Sequence, residues 1–134
     1  MIVVHDAARP LASPALFEAV IEAVTSGGAD GAVPGIPLRD TIKAVDESGH
    51  VTSTLDRSAL VAVQTPQAFR AGLLRGAHEQ RGSDGSGAPD DAVLVEALGA
   101  TVRVVPGEPG NLKITDPDDL RAAERLLGPA QAEA

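Results

Sequence analysis

Four polar clusters in this chain combine residue types that suit phosphate chemistry: Asp6 with Arg9, Arg39-Asp40-Thr41, Asp56-Arg57, and Asn111 to Thr115 around Lys113. Gln64-Thr65 adds a further polar pair after an apolar run. An Arg guanidinium offers a phosphate two parallel donors, and a Lys ammonium offers a mobile point charge. A single acid beside them suits Mg²⁺, which takes one or two carboxylates and completes its shell from substrate phosphates. The first cluster is the best placed. The apolar run Ile2-Val3-Val4 leads directly into His5-Asp6-Ala7-Ala8-Arg9-Pro10. In α/β folds ligands bind outside the carboxyl ends of strands, so Asp6 and Arg9 stand where a site belongs.

Each of these residues also has a plain structural reading. Asp6 can cap a turn or pair with Arg9. Thr65 before Pro66 reads first as a helix N-cap. Asp90-Asp91 and Asp118-Asp119 resemble metal pairs but read better as acidic helix starts. His5 follows a buried run and reads as a structural hydrogen-bonder. His50, beside a turn, and His78, on a helix, read as solvated. No Ser, His and Asp pattern suggests a nucleophilic triad, and no His or Cys spacing suggests a zinc site. There is no Walker-type loop and no G-x-G-x-x-G after a strand.

Composition narrows the class. At 134 residues one domain is expected, and 43% apolar residues can fill its core. A net charge of −8, two Phe and no Trp or Tyr argue against nucleic-acid binding by a basic surface or by stacking. They leave room for a small pocket with a few placed cations. With no Cys there is no disulfide or thiol chemistry. No signal-like or membrane-spanning run is visible, so no membrane partner is expected and the cytoplasm is the expected compartment.

The elements that must position these residues follow from periodicity. Ile2 to Val4 reads as a buried strand. Ser13-Pro14 opens a helix carrying Leu16, Phe17, Val20, Ile21 and Val24 that ends at Gly27-Gly28. A strand over about Gly31 to Ile36 completes a parallel crossover. Asp40 to Asp46 and His50 to Leu55, joined by Glu47-Ser48-Gly49, form a β-hairpin. A lone two-stranded hairpin is marginal in water, so it must pack against its own body or a second subunit. Leu60 to Val63 is a strand, and Thr65-Pro66 is expected to open a helix carrying Phe69, Leu73 and Leu74. Arg81 to Pro89 reads as a mobile loop. Asp90 caps a helix that Gly99 stops, Thr101 to Val105 is a strand, and Leu112 to Thr115 is a short strand end. Asp116-Pro117 starts the last helix, and 129–134 reads as a disordered tail after a domain over 1–128.

Five runs then point to a family. HDAARP at 5–10, RDTIK at 39–43, LDRS at 55–58, AVQTPQAF at 62–69 and NLKIT at 111–115 occur in that order over nearly the whole chain. Together they resemble the 2-C-methyl-D-erythritol 4-phosphate cytidylyltransferases of the non-mevalonate isoprenoid route. The ribitol 5-phosphate cytidylyltransferases share the HDA-x-RP start, but LDRS and AVQTPQAF are closer to the erythritol enzymes. The resemblance implies an α/β fold with a Rossmann-like, mainly parallel sheet of the nucleotidyltransferase type and a protruding β-hairpin arm. It implies transfer of CMP from CTP to methylerythritol phosphate, with Mg²⁺ and release of pyrophosphate. Asp6 would serve the metal and the acceptor, Lys113 would hold the acceptor phosphate, and Arg9 and Thr65 would line the acceptor pocket. Arg57, which with Lys113 would be catalytic by positioning the acceptor phosphate for attack, and Thr41 would lie on the 39–57 arm and reach the neighbouring subunit's site in a homodimer. The family's Gly-rich CTP-binding half has no counterpart in these residues. The chain is therefore expected to be the later part of something larger and inactive alone. A cytidylyltransferase for another polyol phosphate and a non-catalytic dimerising remnant are the alternatives.

Overall fold

The computed structural model describes residues 1–81 and 90–128. The expected loop over 81–89 and tail over 129–134 fall, except for the backbone of Arg81, outside the described residues. The elements in order are β1 (Ile2–Val4), α1 (Pro14–Thr25), β2 (Gly31–Pro37), β3 (Ile42–Val45), β4 (Val51–Leu55), a short 3₁₀ turn (Arg57–Ala59), β5 (Val61–Val63), β6 (Gln67–Phe69), α2 (Ala71–Arg81), α3 (Asp91–Glu96), β7 (Val102–Pro106) and α4 (Pro117–Leu127).

β2 organises the main sheet. One of its edges pairs with β7 in parallel over Gly31 to Gly35. The other edge is shared by two antiparallel strands, β6 at Gly31–Ala32 and β5 at Gly35–Pro37. Pro34, which has no N–H to offer, falls in the gap between them, and its carbonyl accepts the Gln64 N–H at 2.8 Å. β1 pairs antiparallel with the far edge of β6. It follows that β1, β2 and β7 run one way and β5 and β6 the other. The shared direction is the parallel one expected of the α/β class, although among the described residues only β2 and β7 form a parallel ladder. The crossover from β1 through α1 to β2 leaves a gap of one strand, and β6 fills it.

Helices pack on both faces of the inner strands, while Val61, Val63 and Val104 stay exposed. Adjacent strand residues point to opposite sides, so Ala32 and Ala68 face one way and Val33 and Phe69 the other. On the first side α1 lays Val20, Ala23 and Val24 against Ala32, Ala68 and Val105. On the second, α2 and α3 bring Leu74, Ala77, Ala92 and Val95 onto Val33 and Phe69. Local signals set the helix ends. The Ser13 side chain accepts the Leu16 N–H and Pro14 occupies the first turn. Asp90 caps α3 through Val93 N–H. Asp116 caps α4 in a reciprocal box with Asp119. The two acidic pairs are thus helix starts.

Two expectations are corrected here. Thr65-Pro66 does not open a helix and Thr65 is not an N-cap. The Thr65–Pro66 peptide is cis, Gln67-Ala68-Phe69 is a strand, and the helix begins at Ala71. Phe69, Leu73 and Leu74 share a helical spacing, but Phe69 is buried from the sheet, while the helix contributes the buried Leu74 and the partly buried Leu73. A three-residue central strand, buried on both faces, has no alternation to announce it. Second, Leu112 to Thr115 is not a strand. One backbone bond, Ile114 N–H to the Ala8 carbonyl at 2.8 Å, fastens it beside the β1 end.

β3 and β4 form the expected hairpin as a separate two-stranded sheet, with a register shift between Ala44 and Val45. Every β4 residue is exposed, and so are Val45 and Val51.

Candidate functional site

The carboxyl end of β1 is folded into a tight turn by its own acid. Asp6 accepts the Ala8 N–H on Oδ1 at 3.0 Å, and the Arg9 N–H returns to the Asp6 carbonyl at 2.9 Å. Asp6 Oδ2 meets Lys113 Nζ at 3.0 Å. The Ala8 N–H first, and the Lys113 ammonium second, hold the Asp6 carboxyl below the usual carboxylate range. The Lys113 side chain is half exposed, at 51%, so its ammonium can turn from Asp6 to an incoming anion without unfolding anything. Residues 107 positions apart in sequence thus form an acid–base pair at a strand end.

A buried amide pair holds Lys113 in place. Gln64 (5% exposed) and Asn111 (1%) lie under the site. Gln64 Nε2 donates to the carbonyls of Glu108 at 2.9 Å and Asn111 at 3.3 Å, and its Oε1 accepts the Glu108 N–H at 3.0 Å. Asn111 Nδ2 donates to the Thr65 carbonyl at 2.9 Å and to Gln64 Oε1 at 3.4 Å. Arg9 reaches in from the β1 turn, and its NH1 donates to the Asn111 carbonyl at 2.8 Å. The loop after β7, the β5–β6 junction and the β1 turn are therefore locked together two residues before Lys113. Gly107 makes this closeness possible. A Cβ there would lie 2.8 Å from Gln64 Oε1 and 3.1 Å from the Gly35 carbonyl.

Further contacts complete the frame. Thr65 Oγ1 accepts the Asp6 N–H at 2.9 Å and lies 3.0 Å from His5 Nδ1. His5 Nε2 is 3.0 Å from the Arg9 carbonyl, and its ring packs against Phe17 with centroids 5.0 Å apart. His5 is the structural hydrogen-bonder its position suggested. Glu108 accepts from Ser13, on Oε2 from the N–H at 3.2 Å and on Oε1 from the hydroxyl, tying the loop to the start of α1.

Of the six site residues expected from sequence, the fold gathers four: Asp6, Arg9, Thr65 and Lys113. Arg57 and Thr41 sit apart on the arm, both exposed. Arg57 NH1 bonds the Arg39 carbonyl, which joins the two ends of the hairpin. Among the described residues no hydrogen bond or ion pair links either to the Asp6–Lys113 pair. The Ser13–Glu108 tie and the bracing role of Gln64 and Asn111 were not foreseen. The dense turn signal at Pro106 to Gly110 marks where a loop must be pinned, but not by what.

Among the described residues Asp6 is the one carboxylate paired with Lys113, and no three His, Cys, Asp or Glu side chains are placed to hold a metal. That donor set fits an ion such as Mg²⁺ that takes one protein carboxylate and fills its remaining positions from substrate oxygens and water.

Comparison with known proteins shows the family to which the chain belongs. A family model for 2-C-methyl-D-erythritol 4-phosphate cytidylyltransferase (IspD) matches residues 1–129. A cytidylyltransferase of that description from Rubrobacter xylanophilus is 51% identical over 124 residues, 92% of this chain and 53% of the relative. One from Synechocystis is 43% identical over 133 residues, 99% of this chain and 57% of the relative. The crystal structure of the Thermus thermophilus cytidylyltransferase superposes with a TM-score of 0.80 at 43% identity, covering 93% of this chain and 60% of that one. The chain thus spans a little over half the length of these relatives. The five sequence runs, the α/β frame and the family match coincide on the same residues, and the chain belongs to the 2-C-methyl-D-erythritol 4-phosphate cytidylyltransferase (IspD) family.

Proposed function

We propose that this chain supplies the acceptor side of CTP-dependent cytidylyl transfer to 2-C-methyl-D-erythritol 4-phosphate. The observation that carries the reading is the Asp6–Lys113 pair at 3.0 Å at the carboxyl end of β1, inside two of the family's sequence runs. In this reaction an acceptor phosphate oxygen forms a bond to the α-phosphorus of CTP, and the bond to pyrophosphate breaks. Nothing covalent is asked of the protein, so its work is positioning and charge neutralisation. Lys113 leaves Asp6 to hold the acceptor phosphate. Arg9, anchored through NH1 to the Asn111 carbonyl, fixes the shape of the turn that presents Asp6. Thr65 lines the acceptor pocket. Mg²⁺ at Asp6 would neutralise charge on the triphosphate. On this reading Arg57 and Thr41 act across a homodimer, in which the exposed 39–57 arm reaches the neighbouring subunit. The setting proposed for this reaction is the cytoplasm.

Because the chain spans about half of its relatives, acceptor binding is read separately from turnover. Methylerythritol phosphate should bind the chain in a calorimetric titration, with binding lost in Lys113→Ala. Pyrophosphate release on adding CTP and Mg²⁺ measures turnover. No binding to the chain, or preferential binding of ribitol 5-phosphate, overturns the acceptor assignment.

A further inference from the structure

The two ends of one short hydrogen-bond chain fix the order of its protons. At one end the Asp6 N–H donates to Thr65 Oγ1 at 2.9 Å, so that oxygen is an acceptor there. At the other end the Arg9 carbonyl, which can only accept, lies 3.0 Å from His5 Nε2. Nε2 must therefore carry hydrogen. In a neutral imidazole this leaves Nδ1 with a lone pair, 3.0 Å from Thr65 Oγ1. Thr65 has one proton to donate, and Nδ1 takes it.

We propose that His5 is a positioning residue which, as its Nε2–H tautomer, binds the Thr65 hydroxyl proton and so makes Thr65 an acceptor-only group toward ligand. Resting on the acceptor-pocket reading above, this assigns Thr65 a specificity. Its remaining lone pair takes a hydrogen bond from a hydroxyl of the polyol, and it has no proton to give a phosphate oxygen. The phosphate is left to Lys113. His5 also ties together two parts of the site far apart in sequence, since it bonds the turn at Arg9 on one side and the β5–β6 junction at Thr65 on the other. Its own ring is held by Phe17 at 5.0 Å, so the tautomer comes with a fixed orientation.

Two measurements on the full chain test this. Long-range ¹H–¹⁵N correlation spectra of histidine-labelled protein at about pH 8, where an ordinary imidazole is neutral, should show His5 protonated at Nε2 and bare at Nδ1. Thr65→Val should shift Nδ1 and leave Nε2 in place. A His5 protonated at Nδ1 overturns the proposal. The second measurement compares binding of methylerythritol phosphate and inorganic phosphate. His5→Gln keeps a donor near the Arg9 carbonyl and loses the Thr65 contact. It should weaken the polyol phosphate by about 2- to 12-fold, the usual worth of one lost hydrogen bond, with inorganic phosphate unchanged. His5→Asn, which keeps a group near Thr65, should recover part of that loss. Equal weakening of both ligands, or no change in either, overturns the specificity. If the parent chain binds neither ligand, the acceptor-side reading falls and the specificity with it, while the NMR spectra still decide the proton order.

Discussion

Truncating Asn111 to Ala tests whether the buried amide pair braces the site. The substitution removes the Nδ2 donor from the Thr65 carbonyl at 2.9 Å and from Gln64 Oε1 at 3.4 Å. The first loss strands an acceptor and costs about 1–3 kcal/mol. The second is long, and Gln64 Oε1 keeps the Glu108 N–H at 3.0 Å, so it adds little. One term offsets these: Asn111 Oδ1 is buried with no partner, and its removal relieves that desolvation. The net expectation for Asn111→Ala is about 0.5–2 kcal/mol of destabilisation. Gln64→Ala loses four contacts, two of them to Glu108 at 2.9 and 3.0 Å, and should cost more, about 2–4 kcal/mol. Because the two side chains share partners, the double variant should fall short of the sum by about 0.5–1.5 kcal/mol. Urea denaturation of the four proteins, analysed at constant slope, gives all the terms. Losses that add to within about 0.3 kcal/mol, or a neutral Asn111→Ala, would refute the idea of a single cooperative brace.

Three further outcomes are expected. In Lys113→Met the Asp6 carboxyl should titrate higher than in the parent while staying below the ordinary range, because the Ala8 N–H remains; an unchanged value in a carboxyl ¹³C titration would mean the pair does not form in solution. The Asp119 carboxyl is held low by the Thr115 hydroxyl and then the Thr115 N–H, so its contribution to α4 is complete above the unfolded carboxylate value of about pH 4 and fades as pH falls through the lower folded value. Melting curves of Asp119→Asn should accordingly lose part of the parent's acid dependence, and parallel curves would remove Asp119 from the account. Gly107→Ala should cost about 1–3 kcal/mol in the same urea assay, because its Cβ must displace Gln64 Oε1 and press on the Gly35 carbonyl.

Much of this architecture was legible in the residues themselves. Ser13-Pro14, Asp90 and Asp116-Pro117 announced three helix starts because a cap is a local device: an oxygen, the N–H groups two or three residues on, and nothing from elsewhere. The hairpin around Gly49 was equally local, with its φ of +83° in the turn. Asp6, Arg9, Thr65 and Lys113 were recognisable by residue type and by the order of their sequence runs.

What could not be read locally is where partners distant in sequence decide. Gln67-Ala68-Phe69 is a strand because β1 and β2 stand on either side of it and supply its ladder bonds. With helical spacing to Leu73 and no alternation of its own, it reads as the start of α2. Leu112 to Thr115 alternates as a strand would, yet it lies in no ladder: Ile114 bonds the Ala8 carbonyl, while the N–H groups of Leu112 and Thr115 turn to the nearby Gly110 carbonyl and Asp119 carboxylate. Nothing in the chain's spelling places Asn111 beneath Thr65 or commits the Thr65 proton to His5. The sequence by itself determined the caps, the turns and the inventory of charged groups. Only the tertiary structure decided which of those groups meet, because a hydrogen bond between residues 46 or 60 positions apart is set by the packing that brings their backbones within reach.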